Sequence, residues 1–268
     1  MNRPLRVGSV PYLVGRPLDL GLGDEPGIEL DHDVPSVLVE RLRAGEIDVA
    51  MVSSIELFRQ PGYGYIDGLA VGGRDFVASV QVFLRRPIEE VTTVAFDPAS
   101  RTARTLVRVL LEERDGPAPD FIEVPRGQDP RSVEADGWLR IGDAALREHH
   151  LENLPYFNPS EEWVRRTDMP FVFAPWIVRE GVDITPHLPA FLRARERGAA
   201  ATEQLAADAA KQWHLPLQAC REYLLEECCY EMGGEMDRSL PEFRDRASRL
   251  GLCDAGFRPR PIGLPEHA

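Results

Sequence analysis

Along the first two-thirds of this chain, short apolar runs alternate with stretches of helical period; the last third keeps only the helical period. Leu5, Val7 and Val10 alternate as in a strand, and residues 28–34 read as a second. Pro35-Ser36 opens a helix carrying Val37, Leu38 and Leu42, with Gly45 at its exit. Residues 47–52 form a buried strand that delivers Ser53-Ser54 to its carboxyl end. Residues 63–71 are β-rich, Gly72-Gly73 marks a turn, and residues 78–84 form a strand that Arg85-Arg86-Pro87 ends. Val94-Ala95-Phe96 is a short strand stopped by Asp97-Pro98; from Thr102 onward Leu106, Val107, Leu110 and Leu111 recur at helical spacing. Residues 121–124, 138–141 and 169–178 supply further strands, with a polar loop over 126–136. Beyond them, residues 189–197, 199–213 and 217–232 read as helices broken at Gly198, Pro216 and Gly233-Gly234. A last helix covers 240–250, and the proline-bearing tail from Phe257 reads as irregular.

This order predicts an α/β protein of two lobes. The chain crosses between them near residues 85 and 175, so that 87–175 forms a small inserted α/β lobe. Residues 1–86 and 176–268 form a large α/β lobe with helices at its C-terminal end. Two crossing strands leave a cleft between the lobes, and such clefts close on small ligands by hinge motion.

Composition narrows the partners. The 268 residues carry a net charge of −13, which argues against a nucleic-acid surface. Lys211 is the single lysine, so a carboxylate clamp must use arginine or neutral donors. No apolar segment has the length to cross a bilayer, and the opening residues run straight into a strand without a signal-peptide core. A cytoplasmic protein with no membrane partner is expected. Cys220, Cys228, Cys229 and Cys253 show no zinc spacing, and Cys220 and Cys228 read as core thiols. His149 and His150, adjacent on a helix, diverge by about 100° and are expected at the surface rather than on a metal.

The candidate chemistry gathers at strand ends. The strand–turn–helix over 94–106 makes a seat for a carboxylate: Ser100 or Thr102 can cap the helix start, Arg101 lies in the turn, and the helix N-terminus favours an anion. An ordinary capped turn would read the same way. Tyr12 and Arg16 follow the first strand at the sheet edge where ligands bind in α/β folds. Ser53, Ser54 and Ser79 end or begin strands. Gly142 permits close backbone approach, and Asp143 can cap its helix. Aromatic residues at the second crossing, Phe173 and Trp176 among them, wall a cleft or fill the joint.

In their order and spacing these pieces resemble the chorismate dehydratase family of the futalosine route to menaquinone, whose fold is that of type II periplasmic binding proteins. The resemblance is carried by Arg6-Val7-Gly8-Ser9-Val10-Pro11-Tyr12-Leu13 with Arg16-Pro17-Leu18, and by Gly45-Glu46-Ile47-Asp48-Val49-Ala50-Met51-Val52-Ser53-Ser54-Ile55-Glu56. Ser79-Val80, Ser100-Arg101-Thr102, Ile141-Gly142-Asp143-Ala144-Ala145-Leu146 and Pro170-Phe171-Val172-Phe173-Ala174-Pro175-Trp176 continue it. Tyr223-Leu224, Tyr230 and residues 243–252 extend it into the tail. Two positions depart from the family pattern. Val14 stands where the family's first loop has asparagine, and Thr102-Ala103 replaces its usual Thr-Ser.

The resemblance implies conversion of chorismate to 3-[(1-carboxyvinyl)oxy]benzoate and water, with a small-molecule substrate and neither metal nor other cofactor. It implies that Ser53, Ser54 and Ser79 line the large-lobe wall, near Tyr12, Val14, Phe173 and Trp176. Ser100, Arg101, Thr102 and Ala103 then hold a carboxylate from the small lobe beside Gly142, and Arg16 supplies part of what the asparagine did. Asp143 is the protein's candidate for proton transfer, and the substrate's enolpyruvyl carboxylate is the alternative. Three other readings share the fold: an exported solute-binding protein, the 1,4-dihydroxy-6-naphthoate synthase of the same pathway, and a non-catalytic sensor of an aromatic acid.

Overall fold

A computed structural model describes residues 3–264. The chain opens with β1 (Leu5–Ser9), a single 3-10 turn, α1 (Arg16–Asp19) and β2 (Ile28–His32). It continues through α2 (Pro35–Arg43), β3 (Val49–Met51), β4 (Gly64–Gly73) and β5 (Val80–Leu84). Next come β6 (Thr93–Phe96), α3 (Thr102–Glu112), β7 (Asp120–Glu123), β8 (Gly137–Ile141) and α4 (Gly142–Leu151). The short β9 (Tyr156–Phe157), α5 (Pro159–Thr167) and β10 (Phe171–Val178) follow. The last third holds α6 (Leu188–Trp213), α7 (Leu217–Glu222), β11 (Cys228–Glu231), α8 (Met236–Arg249) and β12 (Arg260–Ile262).

These strands make two sheets. Among the described residues the first has seven strands in the order β11-β4-β10-β3-β1-β2, with β12 also on β4; the second has five, β7-β6-β8-β5-β9. In the first sheet β1 runs parallel to β2 and β3, so the carboxyl ends of β1 and β3 open together at one edge. In the second, β6 runs parallel to β8, and the turn after β6 faces the same gap.

The structure moves the crossing. Val80–Leu84 pairs antiparallel with Gly137–Ile141, so this strand belongs to the second sheet and the chain leaves the first sheet within 74–79, not near 85. The return precedes Phe171, since the whole of β10 lies in the first sheet between β3 and β4.

Four further expectations are corrected, each by tertiary contacts. Gly72 and Gly73 continue β4 instead of turning; a Cβ would stand 2.5 Å from Met232 Sδ at the first and 2.4 Å from a Val77 methyl at the second. The glycines make room. Gly198 does not break α6, because the helix passes Pro17 so closely that a Cβ would lie 2.2 Å from its carbonyl oxygen. The expected helix over 217–232 becomes α7, one π-helical turn (Tyr223–Glu227) and β11, where Cys228 and Tyr230 point inward. The tail is not irregular throughout: Arg260–Ile262 adds to the exposed end of β4, an edge position that tolerates Pro261.

The core is continuous from one lobe to the other. Trp163, Phe171 and Phe243 meet edge to face at centroid distances of 4.9–6.0 Å and are fully buried. Truncating such a ring costs about 3–5 kcal/mol. Cys220 and Cys228 are buried free thiols, although they sit on α7 and β11 and not on the one helix their spacing suggested. His149 and His150 are not surface residues; they are half-buried, and His149 packs tilted on Phe76 and edge-on to Tyr156.

Candidate active site

Between the sheets lies a nearly closed cleft with about 80 Å³ of free volume. That is below the range of small-molecule sites, so the lobes must part to admit a ring-sized ligand. Most of its wall is apolar, from residues such as Val10, Val71, Val77, Val80, Ile141 and Ala174, none of which carried a chemical signal in the sequence. Their signal was positional: Val80 begins β5, Ile141 ends β8 and Val10 follows β1, while Val71 and Ala174 lie within β4 and β10 and Val77 in the crossing segment.

Many of the predicted residues line this cleft. From the first lobe come Tyr12, Val14, Ser53 and Phe173. From the second come Ser100, Arg101, Thr102, Ala103 and Gly142, and with them Ser79, which was expected on the large-lobe wall but directly precedes a strand of the second sheet. Four predicted residues stand outside the lining. Trp176 is fully buried against Phe191 at 5.0 Å between rings, on a strand whose register shifts at Val172–Ala174 and Pro175–Ile177. Arg16 turns inward to the carbonyl of Val10 and the carboxylate of Asp19, both at 2.9 Å. Ser54 donates to the carbonyl of Val172 at 2.7 Å. Asp143 reaches the other lobe instead.

Asp143 does not cap α4. Its Oδ1 accepts the backbone N–H of Leu13 at 2.9 Å, tying the start of α4 to the first loop. Burial pushes its carboxyl up to about 6, against smaller opposing effects from the Leu13 N–H, Arg16 and Arg147. Next to it Gly142 has φ +67°, and a Cβ there would lie 2.7 Å from the Tyr12 ring. The left-handed backbone and the close ring both call for glycine. The Tyr12 phenol is held well above its ordinary pKa, first by burial and then by Asp97, Asp143 and Asp33.

The small-lobe seat is built around the turn into α3. Asp97 accepts the N–H of Ala99 at 2.9 Å and that of Ile141 at 3.3 Å, fixing the turn to β8. Ser100 Oγ accepts the N–H of Arg104 at 3.1 Å from one residue before the N-cap; the N-cap itself is Arg101, not Ser100 or Thr102, and its side chain makes no cap bond. Thr102 instead bridges the lobes: its Oγ1 accepts the N–H of Ile55 at 3.2 Å. Arg101 donates only to the carbonyls of Ser100 and Pro98, at 3.1 and 3.4 Å, and among the described residues it pairs with no carboxylate. Desolvation lowers its pKa, an unfavourable state for a cation that an arriving anion relieves. Across the cleft mouth Arg126 pairs with Glu40 of α2.

Two α/β lobes flanking a cleft lined from both sides define a protein of the periplasmic-binding-protein type. Solved structures agree. Protein AF1704 of Archaeoglobus fulgidus superposes with a TM-score of 0.77 at 16% identity, covering 93% of this chain and 98% of that one. The aliphatic sulphonate binding protein SsuA of Escherichia coli gives 0.66 at 18% identity, over 100% and 96%. At such identities the likeness concerns the fold alone. The family is given by sequence: residues 5–249 match the menaquinone biosynthesis family, and the chain belongs to it. Curated relatives include the chorismate dehydratase of Thermus thermophilus, 30% identical over 66% of this chain and 70% of that protein. That of Campylobacter jejuni is 30% identical over 62% and 64%.

Proposed function

We propose that this protein is a chorismate dehydratase, a hydro-lyase that makes 3-[(1-carboxyvinyl)oxy]benzoate for menaquinone. Two relatives bearing that activity in their names support the reading. The observation that carries it is the cleft: apolar walls from both lobes, with the uncommitted guanidinium of Arg101 at the start of α3. Arg101 takes the ring carboxylate, aided by the helix N-terminus. Ser53 and Ser79 face the ring substituents from opposite walls.

The reaction needs little else. The C–O bond to the ring hydroxyl breaks, and the proton leaves the ring carbon that bears the enolpyruvyl ether. The electron pair of that C–H bond completes the aromatic ring, and the hydroxyl departs with a proton as water. Among the described residues lining the cleft there is no carboxylate, imidazole or amine. The proton acceptor in this reading is the substrate's own enolpyruvyl carboxylate, held over the ring by the closed cleft. Val14 occupies the wall where the family has an asparagine, so orientation here rests on shape and on Arg101. Asp143 serves closure: it latches Leu13 and keeps Tyr12 on Gly142.

Mixing the purified protein with chorismate, following the ultraviolet spectrum and identifying the product by mass tests the reading. An aromatic product lighter by one water supports it. Thermal stabilisation by chorismate without product would instead indicate a binding-only relative, the reading that Val14 favours.

A further inference from the structure

The π-helical turn Tyr223–Glu227 packs behind the cleft wall, against the segment that carries Ala78 and Ser79. Its Cys228 N–H bonds the carbonyl of Tyr223, and the widened turn carries two polar side chains toward the segment where the chain crosses between sheets. Glu227 Oε2 accepts the N–H of Ala78 at 2.7 Å. Tyr223, fully buried, sets its phenol beside Ser79 and the Cys228 thiol. The same crossing segment is held at two other points. Asn158 Nδ2 donates to the carbonyls of Val77 and Val80 at 3.0 and 3.4 Å. The carbonyl of Ser79 accepts the N–H of Gly142 at 2.8 Å. Ala78 and Ser79 are buried, and Ser79 lines the cleft.

We propose that Glu227 is a positioning residue for the cleft: its carboxylate fixes the Ala78 amide, and through Ser79 it sets the Gly142 wall against which Tyr12 closes. The bond is a charge-assisted one, stronger and shorter than its neutral counterpart. Among the described residues Glu227 has no arginine partner, so its charge is not committed to an ion pair. Glu226 on its own turn, Glu222 at the end of α7, the Cys228 thiol, and His150 of α4 facing Glu222 make up its titratable surroundings. Burial, then Glu222 and Glu226, push its carboxyl up to about 7, against the Ala78 bond. A raised carboxyl contributes stability that is lost as pH rises through that value. Above neutrality the fold therefore gives up stability while the wall is held by the stronger bond.

The test uses the full chain, labelled with 15N, between about pH 5 and 9. The Ala78 amide resonance should move with a midpoint near 7 in wild type and stay flat in Glu227→Gln, with the Gly142 amide following Ala78. The Leu13 amide should follow Asp143 separately, with a midpoint near 6. An unmoved Ala78 amide in wild type, or a Gly142 amide indifferent to it, overturns the proposal. The activity readout rests on the dehydratase reading: Glu227→Gln should lower kcat/KM for chorismate about tenfold while raising Tm at pH 8. Activity and Tm falling together would make Glu227 merely structural and overturn the proposal. If wild type makes no product while the amides titrate together as described, the dehydratase reading fails and the positioning role stands.

Discussion

The two ends of the first sheet treat buried carboxylates in opposite ways. At the amino ends of β1 and β3, Asp48 is almost inaccessible and takes hydrogen bonds from Arg3, Arg6 and Arg179, with the N–H of Arg6 added. These partners outweigh burial and hold it well below the usual carboxylate range. Near the carboxyl ends, outside the cleft lining, Asp143 accepts one backbone N–H and is pushed up to about 6. Arg101, in the lining, pairs with no carboxylate among the described residues. One end spends its charges on holding the chain together. The other leaves a cation free in the cleft and a soft acid on the latch beside it, which is the pattern expected of a site.

That contrast can be broken from either end. Asp48→Ala leaves three arginines facing a buried hole and should cost about 3 kcal/mol of stability by denaturant unfolding, with ligand affinity in the cleft unchanged. The Asp48 contribution is present above its unfolded pKa of about 4 and lost as pH falls below it, so the gap to wild type should narrow in acid. Arg101→Ala should act the other way: kcat/KM for chorismate down about thirtyfold, with Tm within a degree or two of wild type. A large Tm loss without a kinetic loss would place Arg101 among the structural arginines. Gly142→Ala forces a side chain onto a φ of +67° and into the Tyr12 ring, so both readouts should fall, stability by about 1–2 kcal/mol. Ser100→Ala removes the acceptor of the Arg104 N–H and should cost about 1 kcal/mol, with a small loss of ligand binding. Asp143→Asn should give the smallest change, erasing an activity limb near pH 6 while leaving the rate at pH 8 nearly as it was.

How much of this was legible in the sequence depended on whether a feature is local. The strands, the capped start of α3 and the exit of α2 at Gly45 follow from neighbours in the chain. Gly198 did not: it reads as a helix breaker until Pro17, far away in sequence, is found against it. Gly72 and Gly73 mislead for the same reason. The crossing was misplaced because Arg85-Arg86-Pro87 ends a strand without revealing which sheet that strand joins. In the site, serines and an arginine at strand ends announced themselves, whereas valines on the wall look like any core. Asp143 looked like a cap because sequence shows its helix but not Leu13 across the cleft.

The most direct measurement is chorismate turnover by wild type and Arg101→Ala in one assay, with products identified by mass. The account predicts that wild type releases one water to give the aromatic enolpyruvyl benzoate, and that the variant does so far more slowly with its fold intact. A wild type that binds chorismate but returns it unchanged would contradict the account.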